Sequence, residues 1–349
     1  MLKKFILAIL LIGLLSACEK IAENNTVFEE QMFVMGTIVN VTLYGEEEKK
    51  SQKVFHNLLK DFKYMQAAWN PWKKGSLGRI NSLLPHGEDF SIGPALKDII
   101  VTSAELSEQS EGLFNPAIGQ LIKLWQFNKD ELPAGPPPSE AQIKNWLTQQ
   151  ASMTDLEVGE LSLKTNNPAV ILDFGAFAKG YAVDKAIEYL LLAGVENAII
   201  NAGGDLRAIG SKNGKPWVIG IRDPRADGVI AVAEIQGDES VFTSGDYERF
   251  YDYQGKRYHH ILDPRTGYPA METTSVTVLH KKAAVADAAA TALFVAGPND
   301  WTRIARKMGV DKVMLIDKQG KIYLTPEMQK RIRLQNEEKR DISVVSLDK

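Results

Sequence analysis

Apolar and polar positions alternate through EQMFVMGTIVNVTLYG, residues 30–45, and this period of two predicts a pair of β-strands. In the following segment apolar residues recur at helical spacing (Val54, Leu58, Phe62 and Met65), which predicts a helix over residues 47–66. A second helix is predicted near residues 94–110. Ser139 followed by Gln142 forms a capping-box pattern, so a third helix is expected to begin after the proline-rich loop LPAGPPPSE.

The second half of the chain alternates between short β-rich runs and helical segments. The runs, each bounded by glycine, proline or asparagine, are AVILDF, NAIINA, PWVIGI, VIAVAEI, TSVTVL and KVMLID. Helices are predicted between some of them, at residues 177–193, 284–296 and 299–308. Most of the strands alternate rather than forming the continuous apolar runs of a doubly wound parallel sheet. The pattern therefore predicts an α+β fold.

The N-terminus has the pattern of a bacterial lipoprotein signal. Lys3 and Lys4 precede the apolar run FILAILLIGLL, which is too short to span a bilayer as a stable helix. The run ends in Leu15-Ser16-Ala17-Cys18, a small-residue cleavage site followed by the only cysteine of the chain. We expect residues 1–17 to be removed, Cys18 to carry the lipid anchor, and residues 18–28 to form a tether.

Composition and charge place limits on the remainder of the chain. A single cysteine excludes an internal disulfide. Removal of residues 1–17 takes away two lysines, so the formal charge changes from -3 to about -5. A mildly acidic chain without a basic stripe argues against nucleic-acid binding. One large domain is predicted over residues 29–330, followed by a charged C-terminal tail at residues 331–349.

The segment LDFGAFAKGYAVDKA, residues 172–186, is a first candidate for chemistry. Gly175, Gly180 and neighbouring alanines allow a ligand to approach the backbone, and Lys179 lies where a helix N-terminus favours anions. The sequence matches neither standard nucleotide-binding loop. A tight strand–helix turn with a solvated lysine is an equally good interpretation from this segment alone.

A second candidate is the alanine-rich segment at residues 283–297. Asp287 and Thr291 are four positions apart and lie on one helix face. Their oxygens suit Mg²⁺, which takes few protein ligands and completes its shell with water and phosphate. On spacing alone the structural interpretation is stronger, with Asp287 stabilising the helix start and Thr291 bonded to a carbonyl.

Three further segments contain polar groups next to turns. NAGGDLRAIG, residues 201–210, predicts close backbone approach, and Asp205 there has the character of a turn residue. The predicted turn Ser244-Gly245-Asp246 has hydroxyl and N–H groups that suit a phosphate. His259 and His260 are two of five histidines in the chain. Neighbours on a strand point to opposite faces, so a two-histidine metal site is the poorest interpretation.

Taken in order, these segments resemble one family, the ApbE family of FAD:protein FMN transferases. The residues that carry the resemblance are MGTIVNVTLYG, LGRIN, GLFNPAIGQLIKLWQF, LDFGAFAKGYAVDKA, NAGGDLRAIG, TSGDYERFY, HHILDPRTG and ADAAATALFVAG, spread over roughly residues 33–297. Each segment is weak alone, but the ordered set is specific. The resemblance implies an α+β fold related to the T-fold, with mixed and antiparallel sheets and flanking helices.

The resemblance also implies roles for individual residues. The Mg²⁺ ligands would be the carbonyl of Ala176 and the side chains of Asp287 and Thr291. His260 and Asp287 would be catalytic, and which of them is the base stays open. FAD contacts would come from Met35, Trp125, Gln126, Phe127, Asp173, Lys179, Ser244, Gly245, Asp246, His260 and Ile261.

Three positions depart from the family pattern. Gly78 stands where a serine is usual, Gln126 stands where glycine is frequent, and the segment WNPWKKG differs in length and charge. The first and third departures concern the isoalloxazine end of the pocket, and the second concerns one backbone contact.

The activity implied by the resemblance is Mg²⁺-dependent transfer of FMN from FAD to a Ser or Thr hydroxyl of an acceptor protein, with release of AMP. Two alternatives are Mg²⁺-dependent hydrolysis of FAD to FMN and AMP, and FAD binding without catalysis. The implied acceptors are periplasm-facing subunits of ion-pumping quinone reductases or related electron-transfer complexes. The expected location is a lipid-anchored position facing the periplasm, on the inner membrane in preference to the outer one.

Overall fold

The computed structural model describes residues 26–235 and 237–347. The predicted signal peptide, Cys18 and most of the tether lie outside the described residues. The chain is α+β, as predicted. The helices are α1 Glu48–Trp69, α2 Ser76–Leu83, α3 Pro94–Gln109, α4 Gly119–Leu124, α5 Glu140–Leu147, α6 Ala178–Leu192, α7 Ala283–Ala296, α8 Trp301–Lys307 and α9 Pro326–Gln329, with short 3₁₀ turns at Leu84–His86, Met153–Asp155 and Glu337–Lys339.

A nine-stranded sheet forms the centre of the molecule. Its spatial order is β1-β2-β6-β7-β10-β13-β14-β15-β17, and every neighbouring pair is antiparallel except β15–β17. The strands are β1 Val27–Val34, β2 Thr37–Tyr44, β6 Ala198–Ala202, β7 Asp205–Ile209, β10 Glu239–Gly245, β13 Thr273–His280, β14 Lys312–Asp317, β15 Ile322–Leu324 and β17 Ile342–Val344.

Three smaller sheets complete the fold. One has the order β16-β9-β8, one has the order β3-β5-β4, and β11 and β12 form a hairpin. Their strands are β3 Phe90–Ser91, β4 Leu156–Val158, β5 Ser162–Thr165, β8 Trp217–Arg222, β9 Val229–Ile235, β11 Phe250–Tyr253, β12 Lys256–His259 and β16 Ile332–Leu334.

The hydrophobic core has three parts. The largest cluster contains the inward residues of β1 and β2 with those of α1, α3, α6 and α7. A second cluster, which includes Trp217, Ile235, Leu279 and Met314, joins the nine-stranded sheet to the sheet of β8, β9 and β16. A third cluster joins α4 and α5 to the β11–β12 hairpin. The central sheet is therefore covered by helices on one face and by a small sheet on the other.

Several predicted elements are confirmed, with small shifts of their ends. The 30–45 strand pair is β1 and β2, and the capping box of Ser139 and Gln142 is present at the start of α5. The run AVILDF is not a strand. Only Ile171 of that run makes a bridge, to Ile118, because the chain turns there toward α6 instead of entering a sheet.

The ends of the predicted domain also differ from expectation. β1 begins at Val27, two residues inside the predicted tether. The predicted tail at residues 331–349 is not a separate tail, since it supplies β16 and β17 to two sheets. The sequence pattern did not predict these strands, because each has only two apolar residues and charged residues surround them. No helix of the described part of the chain is long and apolar enough to cross a membrane.

The register of the hairpins defines two ends of the central sheet. The β1–β2 turn at Met35 and Gly36, the β6–β7 turn before Asp205 and the end of β10 at Ser244 lie at one end, which we name the site end. Val27, Tyr44 and Ile209 lie at the opposite end, which we name the far end. Among the predicted site residues, Met35, Ser244 and Gly245 lie at the site end of the sheet, and Lys179 is joined to that end by its ion pair with Asp205.

Candidate functional site

Two helices, α6 and α7, meet at the site end and fix each other's first turns. The N–H of Gly180, in the first turn of α6, donates to Asp287 Oδ2 of α7 at 2.9 Å. In return, Asp184 of α6 accepts the N–H groups of Ala283 and Ala284, the first residues of α7, at 2.8 and 3.0 Å. Each helix thus satisfies free N–H groups at the start of the other.

The close approach of the two helices depends on Gly180. A Cβ atom at this position would lie 2.4 Å from the carbonyl oxygen of Ala283 and 2.8 Å from the Cβ of Asp287. Neither distance is compatible with a side chain, so only glycine allows this contact. Asp184 is held in turn by Arg207 of β7, which also binds Asp238.

The contact between Gly180 and Asp287 leaves a backbone carbonyl available. In a regular helix the N–H of Gly180 would donate to the carbonyl of Ala176, four residues earlier. Here it donates to Asp287, and among the described residues no hydrogen bond reaches the carbonyl of Ala176. Ala176 is exposed, in the turn that precedes α6. Its oxygen therefore remains free for a ligand.

The hydroxyls of Thr291 and Ser244 adjoin the same helix face. Thr291 lies one turn after Asp287 on α7, and its Oγ1 is 3.2 Å from Ser244 Oγ at the end of β10. Both side chains are half-buried. The three predicted Mg²⁺ ligands thus lie on α7 (Asp287 and Thr291) and in the turn that precedes α6 (Ala176), and the two helices are in direct contact.

Lys179 places a positive charge beside these oxygens. Its ammonium forms an ion pair with Asp205, the first residue of β7, whose other oxygen accepts the N–H of Thr243 at 2.8 Å. Burial lowers the pKa of Lys179, but the carboxylates of Asp205 and Asp287 outweigh this effect and the net pKa is raised. Lys179 is therefore a permanent cation in the site.

Asp287 has an unusual environment for a carboxylic acid. It is 6% exposed, and burial raises the pKa of Asp287 to about 7, although Lys179 acts in the opposite direction. Such a group exchanges a proton near neutral pH, or is held ionised by a bound cation.

The two adjacent histidines have different partners. His259, the last residue of β12, is 2% exposed, with Nε2 3.1 Å from the carbonyl of Ala270 and Nδ1 accepting the N–H of Ile261 at 3.3 Å. Burial lowers the pKa of His259 to about 4. Its ring edge also packs on Phe294 of α7. His259 is a structural residue, in line with the opposite faces expected for neighbours on a strand.

His260 follows the end of β12 and lies beside Arg249 and the ring of Phe127. Its Nδ1 is 3.2 Å from the carbonyl of Arg249, so Nδ1 is assigned the hydrogen and Nε2 is left as an acceptor. Burial lowers the pKa of His260 to about 3, and the charges of Arg249 and Lys179 add to this effect. The imidazole is therefore neutral at physiological pH, unlike the unperturbed group that the sequence leads one to expect.

Two predicted flavin contacts, Met35 and Asp173, lie at the rim of the site. Met35 has φ 54° in the β1–β2 turn, and its N–H donates to Gln66 Oε1 at 2.6 Å. Asp173 accepts the indole N–H of Trp72 at 3.1 Å and the N–H of Gly175 at 2.7 Å. Burial raises the pKa of Asp173. Trp72 therefore orients a carboxylate that the sequence pattern alone associates only with a strand end.

The Trp125-Gln126-Phe127 segment is mostly part of the third core cluster. Trp125 is 1% exposed, and its indole donates to the carbonyl of Gly267 at 2.8 Å, which leaves only the main chain for the predicted contact with FAD. The ring of Phe127 is buried between Tyr251 and His260. Gln126 has φ 61°, a left-handed conformation that favours glycine and explains why glycine is frequent at this position in the family.

Ser244, Gly245 and Asp246 do not form the predicted turn. Ser244 and Gly245 end strand β10, which pairs with β13, and the turn begins only afterwards. The carboxylate of Asp246 receives two hydrogen bonds from Arg225, at 2.8 and 2.5 Å. Ile261 is buried, with its carbonyl bonded to the N–H of Ala270. The side chain of Asp246 and the main chain of Ile261 thus have protein partners already.

Sequence reasoning did not find the contacts of three positioning residues. Asp205 follows the Gly203-Gly204 pair but is a partner of Lys179 and not merely a turn residue. Asp184 is in the α6 segment that was singled out, yet its helical spacing does not reveal its contact with α7. Trp72 belongs to the segment that departs from the family pattern. A search of residues 26–235 and 237–347 finds no group of three or more His, Cys, Asp or Glu side chains that could hold a metal ion.

The sequence and the fold were compared with known proteins. A profile of the ApbE family matches residues 35–314. An FAD:protein FMN transferase of Rhodobacter capsulatus is 39% identical over 303 residues; the match covers 87% of this chain and 58% of that relative, less than two thirds of its length. An FAD:protein FMN transferase of Haemophilus influenzae is 29% identical, with 90% of this chain and 94% of that relative covered.

Solved structures give the same result. A crystal structure of the ApbE protein of Thermotoga maritima matches with a TM-score of 0.80 and 32% identity, over 88% of this chain and all, 100%, of the other. The apo form of a Pseudomonas stutzeri flavinyl transferase, ApbE, matches with a TM-score of 0.77 and 26% identity, over 88% and 96% of the two chains. The family profile covers most of the chain and the fold agrees over 88% of it, so this chain belongs to the ApbE family.

Proposed function

We propose that this chain is an FAD:protein FMN transferase that moves FMN from FAD to a Ser or Thr hydroxyl of an acceptor protein and releases AMP. The names of its relatives support the reaction. One structural observation carries the assignment of the site: Gly180 donates to Asp287 and thereby leaves the carbonyl of Ala176 free beside it. A helix start that binds no ligand would keep the regular hydrogen bond from the N–H of Gly180 to the carbonyl of Ala176.

The donor set at this position fits Mg²⁺. A carboxylate, a hydroxyl and a carbonyl are hard oxygen ligands, and an ion held by few protein groups keeps places for phosphate oxygens. Asp287, Thr291 and Ala176 would hold the ion. The pKa of Asp287 is raised because the carboxylate is buried, and a bound cation would lower this pKa again. When bound, Mg²⁺ would neutralise charge on the pyrophosphate.

The protein's own groups support the remaining steps. Lys179 and the first turn of α6 attract the phosphates, because the ammonium and a helix start both favour anions. The Nε2 of His260 is left as an acceptor. A bound pyrophosphate nearby would raise the low pKa of His260 toward neutrality. His260 is thereby suited to orient the acceptor hydroxyl and to receive its proton as oxygen attacks phosphorus.

We also propose that the protein acts from a lipid anchor at Cys18 and faces the periplasm, as the lipobox pattern favours. The acceptors would then be periplasm-facing subunits of electron-transfer complexes, such as ion-pumping quinone reductases. The inner membrane is favoured because such acceptors are found on it.

An intact-mass measurement separates transfer from its alternatives. The protein is incubated with FAD, Mg²⁺ and a candidate acceptor domain. Addition of FMN to the acceptor supports transfer, free FMN without an adduct supports hydrolysis, and unchanged FAD supports binding alone. The first outcome is expected. Repetition with EDTA should abolish the adduct.

Two variants test the assignment of roles within the site. Asp287→Ala should abolish metal-dependent transfer, because it removes the one carboxylate among the proposed ligands. His259→Ala should retain most of the activity, because His259 is bonded to Ala270 and Ile261 on the other side of the strand. Equal loss in the two variants, at equal folded fraction by circular dichroism, would refute this assignment.

A further inference from the structure

A groove at the far end of the central sheet has no part in the proposed reaction. It has a volume of about 670 Å³ and is lined by β1, β2 and the β7–β8 hairpin. The site end is separated from it by the full length of β1, eight residues, or roughly 25 Å at about 3.3 Å per residue.

The walls of the groove combine apolar and basic side chains. Val27 and Val218 are 40% and 64% exposed, and the buried Trp217 also lines the groove. Lys212 and Lys215 line the same groove and are exposed. Within the described chain neither lysine forms an ion pair, and Glu29 is the one acidic residue of the lining. Exposed valines beside unpaired lysines match the interface of an anionic bilayer.

The position of the predicted lipid anchor selects this end of the molecule. Val27 lines the groove and is also the first residue of β1. Nine peptide steps join Cys18 to Val27, and even full extension spans no more than about 32 Å. A lipid on Cys18 would therefore attach the molecule to the membrane through the far end, where the tether joins β1. The net charge of the mature chain is negative, whereas the groove has two lysines against the one carboxylate of Glu29 and so attracts an anionic surface.

We propose that the far-end groove rests on a bilayer of anionic phospholipid and that the site end points away from the membrane. This inference rests on the lipid anchoring included in the proposed function. The proposed orientation also limits which acceptor proteins fit. The acceptor hydroxyl must lie about one strand length, roughly 25 Å, above the groove, on a part of the acceptor that projects from the membrane.

An alternative orientation has its own apolar surface. Phe33 and Ile38 face each other across the β1–β2 hairpin at the site end and are 78% and 51% exposed. Insertion of this pair into the bilayer would turn the site toward the membrane. Val218 and Phe33 are both exposed apolar strand residues at opposite ends of the molecule, so they form a matched pair of reporter positions.

The experiment uses the full-length, acylated protein in phosphatidylglycerol vesicles. Cys18 is the only cysteine and is blocked by the lipid, so Val218→Cys or Phe33→Cys gives a unique site for a fluorophore. Quenching by headgroup-labelled lipid should be several-fold stronger at position 218 than at position 33. Lys212→Glu/Lys215→Glu should reduce this difference, since each lysine near an anionic surface contributes about a fivefold effect. Lys60→Glu/Lys63→Glu on the solvent side of α1 is the charge-matched control and should leave it unchanged.

Equal quenching at the two positions, or stronger quenching at position 33, would overturn the proposed orientation. So would a difference that persists in neutral phosphatidylcholine and survives the double lysine reversal, since the lysines would then be irrelevant. An intact mass without acyl chains would contradict the anchoring itself and this inference with it. Transfer of FMN measured in detergent reports separately on the proposed reaction.

Discussion

At the scale of single residues, His259 and His260 show how one position along the chain decides a role. His259 has both ring nitrogens bonded to the main chain and its ring packed on Phe294. His260 has only Nδ1 bonded, to the carbonyl of Arg249, and its ring contacts the edge of Phe127. The pKa of each is lowered by burial, so both are neutral in the folded chain at pH 7.

The low pKa of His259 predicts a loss of stability in mild acid. In the unfolded chain this histidine binds a proton below about pH 6.5, whereas in the folded chain it does so only near pH 4. The unfolded state therefore gains protons first, and stability falls as the pH drops between these values. Between about pH 7.5 and about pH 5 the wild type should lose about 2 kcal/mol more unfolding free energy than His259→Gln.

Urea unfolding at the two pH values measures this difference. His56→Gln, at an exposed position of α1, is the control and should keep the pH dependence of the wild type. The same pH dependence in the wild type and in His259→Gln would show that burial of His259 does not govern acid stability.

The structure brings Ala176, Asp287 and Thr291 together as the resemblance implies, but their partners could not be predicted. The spacing of Asp287 and Thr291 places them on one helix face whatever the fold. That Gly180, Ser244 and Asp205 lie opposite them depends on contacts between elements far apart in the chain. Likewise, nothing local marks Trp125 as a core residue or Gln126 as left-handed. These are consequences of packing, which periodicity does not encode.

At the scale of elements, the pairing of α6 and α7 organises the site. Asp184 holds the first turn of α7, and α7 supplies Asp287 and Thr291. Because the same carboxylate is bonded to Arg207, the two helices are tied to β7, which supplies Asp205. A disturbance at Asp184 should therefore reach the proposed metal site without any direct contact with ligand.

Asp184→Asn should weaken both stability and the response to Mg²⁺. The substitution removes the charge opposite Arg207 and replaces one acceptor of an α7 N–H by a donor, at an expected cost of about 3 kcal/mol. The concentration of Mg²⁺ that gives half-maximal transfer should rise by a larger factor than the factor by which kcat falls. Mg²⁺ titration at a temperature where the variant stays folded measures this.

Asp238→Asn is the control. It removes the other, more exposed partner of Arg207 and should have a smaller effect. An unchanged Mg²⁺ requirement in folded Asp184→Asn would contradict the positioning role.

Two departures from the family pattern are coupled in the segment before α2. A Cβ atom at Gly78 would lie 2.2 Å from the carbonyl oxygen of Lys73, and one at Gly75 would lie 2.4 Å from that of Ala67. The chain of WNPWKKG therefore folds back onto the start of α2, where a serine has no room. The altered segment and the missing serine are one structural change.

Gly78→Ser should consequently destabilise the protein, although serine is the usual residue of the family. The expected loss of unfolding free energy is about 2–3 kcal/mol, because the loop must move away from the added atoms. Thermal unfolding measures it. Gly93→Ser is the control, since a Cβ there meets nothing within 4 Å and serine suits the position before α3. If the two variants have equal stability, the close approach at Gly78 is without consequence.

At the scale of the whole molecule, the C-terminal segment closes the fold. β17 pairs with β15 at the edge of the central sheet, while Val345 and Leu347 pack on the main core. Arg340 binds Asp223, whose other oxygen accepts the N–H of Arg225. Because Arg225 in turn holds Asp246 near the site, the end of the chain is connected to a predicted FAD contact.

The sequence pattern could not reveal this closure. The fold class and elements such as β1, β2, α1, α3 and α7, each of eight or more residues, follow from periods of two and 3.6. β16 and β17 have three residues each and are separated by charged residues that resemble a solvated tail. β16 and β17 are stabilised by pairing with β9 and β15, which are distant in the chain. Local periodicity does not indicate such partners.

A chain that ends at Gln335 tests the structural role of the segment. Loss of β17 and of the apolar residues after it should lower the free energy of unfolding by at least about 3 kcal/mol, and the exposed edge of β15 should reduce solubility. The KM for FAD should also rise, because Asp223 and Arg225 lose the support of Arg340.

Full-length Arg340→Ala separates the effect on KM from the effect on stability. It keeps β17, so it should show most of the rise in KM with little loss of stability. An unaltered melting temperature in the truncated chain would restore the interpretation of residues 331–349 as a dispensable tail.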